Sequence, residues 1–410
     1  MNRKIVYELP KLCVPVMVKN IAEAKALDEK TGGYEACDVI EIRVDYLENI
    51  NDELEEVVTI LSNKFESKEI ILTYRTVPEG GLGEYSYDSY RELLIRLCNL
   101  RCNYVDVEVN RGAAVIDEIA AFAHRKSVSV IGSYHNFEHT PAIKDLAYIS
   151  AIISDSRADI IKIAVMPKNK EDVYNLLRFT AKTRRVTSKK LITMSMGEMG
   201  RCSRVFGFLC GSYLTFVTVS EASAPGQIGI FDCKNMLNKI LGLKFSLIGF
   251  MGSGKSTVSA ALAEILPYPL IDTDEYIVQS ERMSINEIFA TKGEDYFRDV
   301  EEETLKELLD SATVSIISCG GGIIKRESNR RALKEKSCNI WLNASPQTVL
   351  ERVKGDDSRP LLKGKMNVSD ISDMISQRRP MYEDTYSLKV DTDGLGPKEI
   401  VINIFDKVIS

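Results

Sequence analysis

No stretch of the chain approaches the roughly 18 consecutive apolar residues that a membrane-spanning helix needs. Behind Met1-Asn2-Arg3-Lys4 there is no apolar h-region, because Glu8, Pro10 and Lys11 interrupt it. A secretory signal is therefore not expected. The nine cysteines (Cys13, Cys37, Cys98, Cys102, Cys202, Cys210, Cys233, Cys319, Cys338) are odd in number and contain no CxxC pair. Such scattered thiols fit a reduced, cytoplasmic protein with mostly buried cysteines better than a disulfide scaffold or a zinc site. Basic residues are in no excess. The net charge is −6, with 31 basic and 32 acidic residues before position 242 and 22 and 27 after it. Neither half carries the positive surface of a nucleic-acid binder, so an anionic substrate must be held by a few placed cations. Low-complexity segments, short repeats and a GxGxxG after a strand are also missing, the last leaving no dinucleotide site.

What remains is ordinary globular composition, 44% apolar and 27% charged over 410 residues, in a chain too long for one typical core. Eight apolar, β-branched runs divide the first 240 residues: Leu12–Val18, Val39–Asp45, Glu69–Thr76, Tyr104–Val109, Val128–His135, Ile160–Met166, Lys189–Met196 and Tyr213–Val219. Several are nearly continuous in apolar character, as strands buried on both faces should be. Eight βα units in this length suit a (β/α)8 TIM barrel, and a doubly wound open sheet is the alternative. A loop at 220–229 and a helical segment lead to a fresh strand, Phe245–Ile248. The domains are therefore expected at 1–242 and 243–410, the second an α/β domain with a parallel sheet.

Gly249-Phe250-Met251-Gly252-Ser253-Gly254-Lys255-Ser256 fits GxxxxGK[ST] between that strand and an amphipathic helix. Glycines let backbone N–H groups converge on phosphate oxygens at a helix N-terminus. Gly249, Gly252, Ser253, Gly254, Lys255, Ser256 and Thr257 are the expected nucleotide-binding set. Lys255 would reach the β/γ-phosphates, and the Ser256 hydroxyl would ligate Mg²⁺. Asp272-Thr273-Asp274 ends the next strand and brings two carboxylates beside the phosphates, Asp272 for Mg²⁺ and Asp274 for a hydroxylated acceptor. There follow Gly293-Glu294, Phe297-Arg298, Glu301, Gly320-Gly321-Gly322, Arg359-Pro360-Leu361-Leu362 and Arg378-x-Pro380-x-Tyr382. In this order and spacing, residues 244–410 resemble shikimate kinase. The resemblance implies ATP as phosphoryl donor and shikimate as acceptor, with Asp274 on the acceptor hydroxyls and Arg298 and Arg378 on its carboxylate. It implies that Gly320, Gly321 and Gly322 allow close approach, that catalytic Arg359 sits on a lid at 355–367 with Lys363 and Lys365, and that Arg352 and Pro397 flank the adenine. Cys319 before the glycine triplet and the stretch 392–396 depart from the family pattern.

The first half has no phosphate loop and no metal-ligand spacing. Its ionisable residues gather toward strand ends: Glu41, Arg43, Arg75, Glu79, His135 and Lys162. In a barrel those ends converge on one site. Lys162 stands within Asp159–Pro167, read as an apolar strand. There, desolvation and neighbouring cations would favour a neutral, nucleophilic amine; an edge-strand lysine reaching for water is the plainer reading. Glu41-x-Arg43-x-Asp45, Arg75-x-x-x-Glu79-Gly80-Gly81, Ser133-Tyr134-His135-Asn136-Phe137, Thr140-Pro141, the Lys162 strand, Ser203-Arg204 and Ser223-Ala224-Pro225-Gly226-Gln227 together resemble type I dehydroquinate dehydratase over residues 5–235. The resemblance implies an imine on Lys162, acid/base work by His135 with Glu79 beside it, and a substrate carboxylate on Arg204. It further implies hydroxyl contacts or charge tuning from Glu41, Arg43 and Arg75, and closure by a loop bearing Ser223 and Gln227. His124, on a helix, and His139 are given no role.

Taken together, these features point to two activities in one chain: dehydration of 3-dehydroquinate to 3-dehydroshikimate, and ATP- and Mg²⁺-dependent phosphorylation of shikimate. The reduction that separates those steps belongs to another protein. A separate shikimate dehydrogenase docking weakly on the chain, and a homodimer through the barrel, are the partner expectations. An aldolase-type barrel fused to another small-molecule kinase is the competing enzyme reading. The arginines placed for carboxylates in both halves argue against it. A regulatory module that has lost catalysis is a further alternative, and the presence of Lys162, His135, Lys255 and Asp274 speaks against that.

Overall fold

The computed structural model describes residues 8–30, 32–84, 86–219, 225–354 and 367–410. Ser223, Arg359 and the lid lysines Lys363 and Lys365 lie outside the described residues. The chain divides into two compact units, Met1–Lys239 and Ile240–Ser410.

Among the described residues of the first unit, eight parallel strands alternate with helices: β1 Lys11–Val16, β2 Val39–Arg43, β3 Glu69–Thr73, β4 Tyr104–Glu108, β5 Ser129–Asn136, β6 Ile160–Val165, β7 Lys190–Ser195 and β8 Leu214–Thr218. A two-residue strand, β9 (Ile228–Gly229), pairs with the end of β8. The order is β7-β6-β5-β4-β3-β2-β1-β8-β9. The sheet also meets itself. Leu191 in β7 bridges Ser212, and the Tyr213 N–H donates to Leu191 O at 2.6 Å. That closure selects the barrel over the open sheet. Strand ends differ slightly from the sequence expectation. β2 stops at Arg43, because Val44–Tyr46 turns as a 3-10 helix in which Asp45 comes back to pair with Arg43.

Side chains on a strand alternate between faces with period 2, and this periodicity layers the barrel. Cys13, Val39, Ile71, Ile131, Ile160, Ile192 and Leu214 form an apolar floor. Two residues further along the same strands stand Glu41, Thr73, Ser133, Lys162, Met194 and Phe216. Outside, helices cover the strands with apolar stripes; Ile50–Lys64, for example, buries Leu54, Val57, Val58 and Leu61, spaced as one helix face requires.

Among its described residues the second unit has five parallel strands, β10 Phe245–Ile248, β11 Leu270–Asp272, β12 Ile316–Ser318, β13 Cys338–Asn343 and β14 Leu388–Asp391. Their order is β11-β12-β10-β13-β14. The chain runs out to one side of β10 and then to the other, so a crevice opens at the C-terminal ends of the central strands. Beneath it the core includes Trp341 stacked on Tyr382, with ring centroids 5.4 Å apart and planes 11° off parallel.

All nine cysteines are free, and all but Cys102 are buried. Among the described residues, no helix is long and apolar enough to cross a membrane.

Candidate active sites

At the C-terminal mouth of the barrel, a cavity of about 500 Å³ (its opening included) is lined by Glu41, Arg43, Arg75, Glu79, His135, Lys162, Arg204 and Gln227, with Met194, Met196, Phe137 and Phe216 as apolar wall. Lys162 is only 4% exposed and lies on an interior strand, paired with Ser133 of β5 and Ile192 of β7. It is not an edge residue. Its Nζ is 3.0 Å from Asp106 Oδ2 and 3.4 Å from Glu41 Oε1, and 4.7 Å from the Phe216 ring centre. Its immediate polar neighbours are therefore carboxylates, where the sequence reading expected cations.

His135 Nδ1 is 2.9 Å from Glu79 Oε2, and the same oxygen accepts the His135 backbone N–H. Glu79 Oε1 accepts from the Asn110 side-chain amide at 2.8 Å. Burial, with Glu108 and Asp106 adding repulsion, pushes the Glu79 carboxyl up to about 8 against the pull of Arg75. Burial, then Arg75 and Lys162, holds His135 well below its usual range.

Arg75 is the hub. Its Nη2 lies 2.7 Å from Asp106 Oδ1, and its Nη1 lies 3.1 Å from Glu108 and 3.5 Å from Glu79. The guanidinium thus spends its charge on protein carboxylates. Arg43 is likewise engaged, gripping Asp45 with Nε and Nη2 at 2.9 and 2.7 Å. Arg204 differs. It is 2% exposed, donates to Pro225 O at 3.1 Å, and has no carboxylate partner among the described residues. Burial brings its pKa down to about 10. A buried cation without a counter-ion is poised for an anionic ligand. Ser203, quoted beside it in the sequence, instead ties the helix Arg201–Cys210 to β7, accepting the Ser195 N–H at 2.9 Å.

Asp106, Glu108 and Ser133 belong to this network, yet the sequence reading gave them no role. Asp106 and Glu108 alternate with valines in Tyr104-Val105-Asp106-Val107-Glu108-Val109, and charges repeating with period 2 on a buried strand were the available signal. His139 is exposed, and His124 pairs with Asp159 far from the cavity residues, on the 3-10 turn His124–Lys126.

In the second unit the loop after β10 turns through Gly252 and Gly254, at φ 76° and 99°. A Cβ at Gly252 would come within 2.7 Å of Val353, so glycine is needed for both angle and space. The helix Lys255–Ile265 starts there. Gly252, Gly254, Lys255, Ser256, Thr257, Asp272, Asp274, Arg298, Gly320, Gly321, Gly322, Arg352, Arg378 and Pro397 line one cleft of about 2760 Å³ with its mouth. Gly249 and Ser253 form the loop behind it, and the Lys255 ammonium donates to Gly249 O at 2.8 Å.

Asp272 caps the helix Thr273–Glu281 through Oδ1 and accepts the Ser318 hydroxyl on Oδ2 at 2.9 Å. Burial, then Asp272, raises the Asp274 carboxyl above its usual value. Arg298 donates to Glu301 at 2.6 Å and to Glu294 at 3.2 Å. Arg378 donates to Gly321 O at 3.0 Å. Arg352 ties the phosphate loop to the segment after β14, donating to Ser253 O at 3.2 Å and Thr392 O at 2.8 Å. The glycine triplet is shaped by its neighbours. A Cβ would lie 2.3 Å from Asp274 at Gly320 and 2.2 Å from Arg298 at Gly322. Glu301, 1% exposed, is a partner of Arg298 to which the sequence reading assigned no role.

Comparison with known proteins agrees with both halves. A family model described as type I 3-dehydroquinase matches residues 12–244, and one described as shikimate kinase matches residues 251–409. The 3-dehydroquinate dehydratase of Clostridioides difficile (strain 630) is 40% identical over 238 residues, covering 56% of this chain and 91% of that protein. The shikimate kinase of Persephonella marina is 41% identical over 162 residues, covering 40% of this chain and 96% of that protein. A crystal structure of type I 3-dehydroquinate dehydratase from Clostridium difficile, with covalently modified comenic acid, is similar at TM-score 0.52 and 39% identity, covering 56% of this chain and 91% of that one. The chain belongs to the type I 3-dehydroquinase family through its first half and to the shikimate kinase family through its second.

Proposed function

We propose that the barrel dehydrates 3-dehydroquinate through an imine on Lys162, and that the second unit phosphorylates shikimate from ATP. One observation carries the first half: a lysine buried on an interior strand shares its cavity with a His–Glu pair and an arginine lacking a carboxylate partner among the described residues. Lys162 Nζ adds to the substrate ketone, and water leaves as the iminium forms. The cationic nitrogen acidifies the neighbouring C–H, and His135 removes that proton. The electron pair forms the new double bond as the β-hydroxyl departs, taking a proton from His135. Hydrolysis of the iminium releases the product and restores the lysine, so one water is lost overall. Arg204 holds the carboxylate, and Glu41, Arg43, Arg75 and Gln227 hold hydroxyls or shape the charge around them. Ser223 is assigned to the same site from the family pattern.

In the kinase the phosphate loop cradles the nucleotide and Lys255 offsets phosphate charge. Asp274 accepts hydrogen bonds from the acceptor alcohol, and Arg298 and Arg378 hold its carboxylate. Arg352 and Pro397 border the adenine, and Arg359 acts on the phosphates. Positioning and charge neutralisation supply most of the catalysis in phosphoryl transfer. Ser256 and Asp272 offer hard oxygen donors in one cleft, which suits Mg²⁺, an ion that keeps several waters and binds substrate phosphates. These two residues would hold it, and the ion would neutralise phosphate charge. The reading extends to cytoplasmic residence, a homodimer through the barrel and weak docking of a separate shikimate dehydrogenase. Co-purification from the native host without reductase activity would count against that docking.

Incubation with 3-dehydroquinate and borohydride, followed by peptide mass spectrometry, tests the imine. An adduct on the Lys162 peptide that disappears in Lys162→Ala is expected, and its absence from the unsubstituted protein would sink the mechanism. Chelation of divalent cations is expected to abolish ATP-dependent phosphorylation of shikimate and leave dehydration untouched.

A further inference from the structure

The sixth strand's lysine has two acidic neighbours, and they are not equivalent. Glu41 accepts one hydroxyl, from Thr73 at 2.9 Å, and sits 3.4 Å from Nζ. Asp106 is fixed on every side. Its Oδ1 faces Arg75 Nη2 at 2.7 Å and accepts the Ser133 hydroxyl, leaving Oδ2 turned to Lys162 Nζ at 3.0 Å. It is 1% exposed, so no bulk water screens the contact.

We propose that Asp106 is the resident counter-ion of the cationic imine formed on Lys162, and so a catalytic residue of the dehydration. The inference rests on the imine reading above and adds a second partner to it. Condensation replaces two N–H bonds of the amine with a C=N bond, but the nitrogen keeps its positive charge as the iminium. A carboxylate already 3.0 Å from that nitrogen stabilises the charge without reorganising. Burial would raise the Asp106 carboxyl, but Arg75 and then Lys162 outweigh it and hold the group well below its usual range. Charged or titratable groups face it from each neighbouring strand. Arg75 comes from the β3 side and His135 from β5, while Lys162 on β6 and Glu41 on β2 each stand one strand further round the sheet. Glu108 shares its own strand, and Glu79 meets it through Arg75. Through Arg75 the counter-ion is also linked to the His135–Glu79 pair, so iminium and base are held in one frame.

Cyanoborohydride tests this, because it reduces protonated imines and spares neutral ones. The full-length protein is incubated with 3-dehydroquinate across a pH series, and the Lys162 adduct is quantified by peptide mass spectrometry. The protonated imine of wild type is expected to persist to a pH at least about one unit above that of the imine formed by the same ketone with a simple alkylamine. Asp106→Asn should lower this midpoint by about one unit or more and reduce kcat by about 10²–10³-fold, while Asp106→Glu keeps the midpoint near wild type. An Asp106→Asn adduct that titrates like wild type would overturn the proposal. If the Asn variant does not fold, the comparison of wild type with the alkylamine decides: equal midpoints overturn it. Absence of any adduct in wild type is a different failure, since it removes the imine itself.

Discussion

Arg204 and Glu79 illustrate how single buried charges trade stability for chemistry. Arg204 lies in the barrel without a carboxylate among the described residues, and burial costs it enough to bring its pKa down to about 10. Replacing it with methionine, of similar reach, should stabilise the barrel by about 1–3 kcal/mol, as relief of an uncompensated buried ion does. The same change should lower kcat/KM for dehydration by about 10–100-fold, chiefly through KM, as loss of a charge-assisted hydrogen bond implies. Thermal unfolding and steady-state kinetics of one preparation check both signs. For Glu79 the linkage runs the other way from an ordinary salt-bridged acid. Its folded pKa, about 8, lies above its usual 4.5, so the native state binds a proton that the unfolded chain releases. That contribution is full below 4.5 and is lost as pH rises through 8. His135, lowered from 6.5, makes an opposite contribution that fades only as pH falls below 6.5. Between 6.5 and 8 the Glu79 effect therefore stands alone. The barrel's unfolding temperature should decline across that window in wild type and decline less in Glu79→Gln.

At the scale of elements, the glycine triplet after β12 is a spacer as much as a binding surface. Ala at position 320 would place its Cβ 2.3 Å from Asp274, and Ala at 322 would place one 2.2 Å from Arg298. Displacement of either side chain by about 1 Å is enough to cost about 10²-fold in rate. Gly320→Ala and Gly322→Ala should each reduce shikimate phosphorylation by that order and leave dehydration unchanged, which parallel assays on each variant would measure. Much of this architecture was legible beforehand. Strand positions followed from the apolar runs, the phosphate loop from glycine spacing and its strand–helix context, and Lys162 from its cost in an apolar strand. The family resemblances then supplied most of the other roles. What stayed hidden depended on contacts distant in sequence. Asp106 gains its meaning only because β4 and β6 flank β5 in the sheet, which brings its carboxylate to Lys162. Glu301 is the exception, since it pairs with Arg298 three residues earlier on the same helix. Arg43 and Arg75, which the resemblance places on substrate hydroxyls or in charge tuning, have their charge matched to Asp45 and to Asp106, Glu108 and Glu79. Arg204, with no such partner among the described residues, is left as the cation best able to recruit an anion.

For the whole molecule, the two units each hold their own parallel sheet and core, so their activities should separate cleanly. Lys162→Ala should abolish dehydration with phosphorylation intact, and Lys255→Ala the reverse. The chemistry also sets a limit on what fusion can do. The dehydration product is a ketone, whereas the kinase takes the alcohol, and a hydride must be delivered in between. No dinucleotide-binding fingerprint is found in the sequence to supply it. Given 3-dehydroquinate and ATP alone, the purified chain should therefore stop at 3-dehydroshikimate. Adding shikimate dehydrogenase with reduced nicotinamide cofactor should carry material through to the phosphate ester after a lag, while free intermediates accumulate. If the units work independently, a mixture of polypeptides 1–242 and 243–410 at equal activity should give the same lag as the intact chain. A shorter lag for the intact chain would mean that the covalent link organises transfer through the reductase, which is the outcome a docked dehydrogenase predicts.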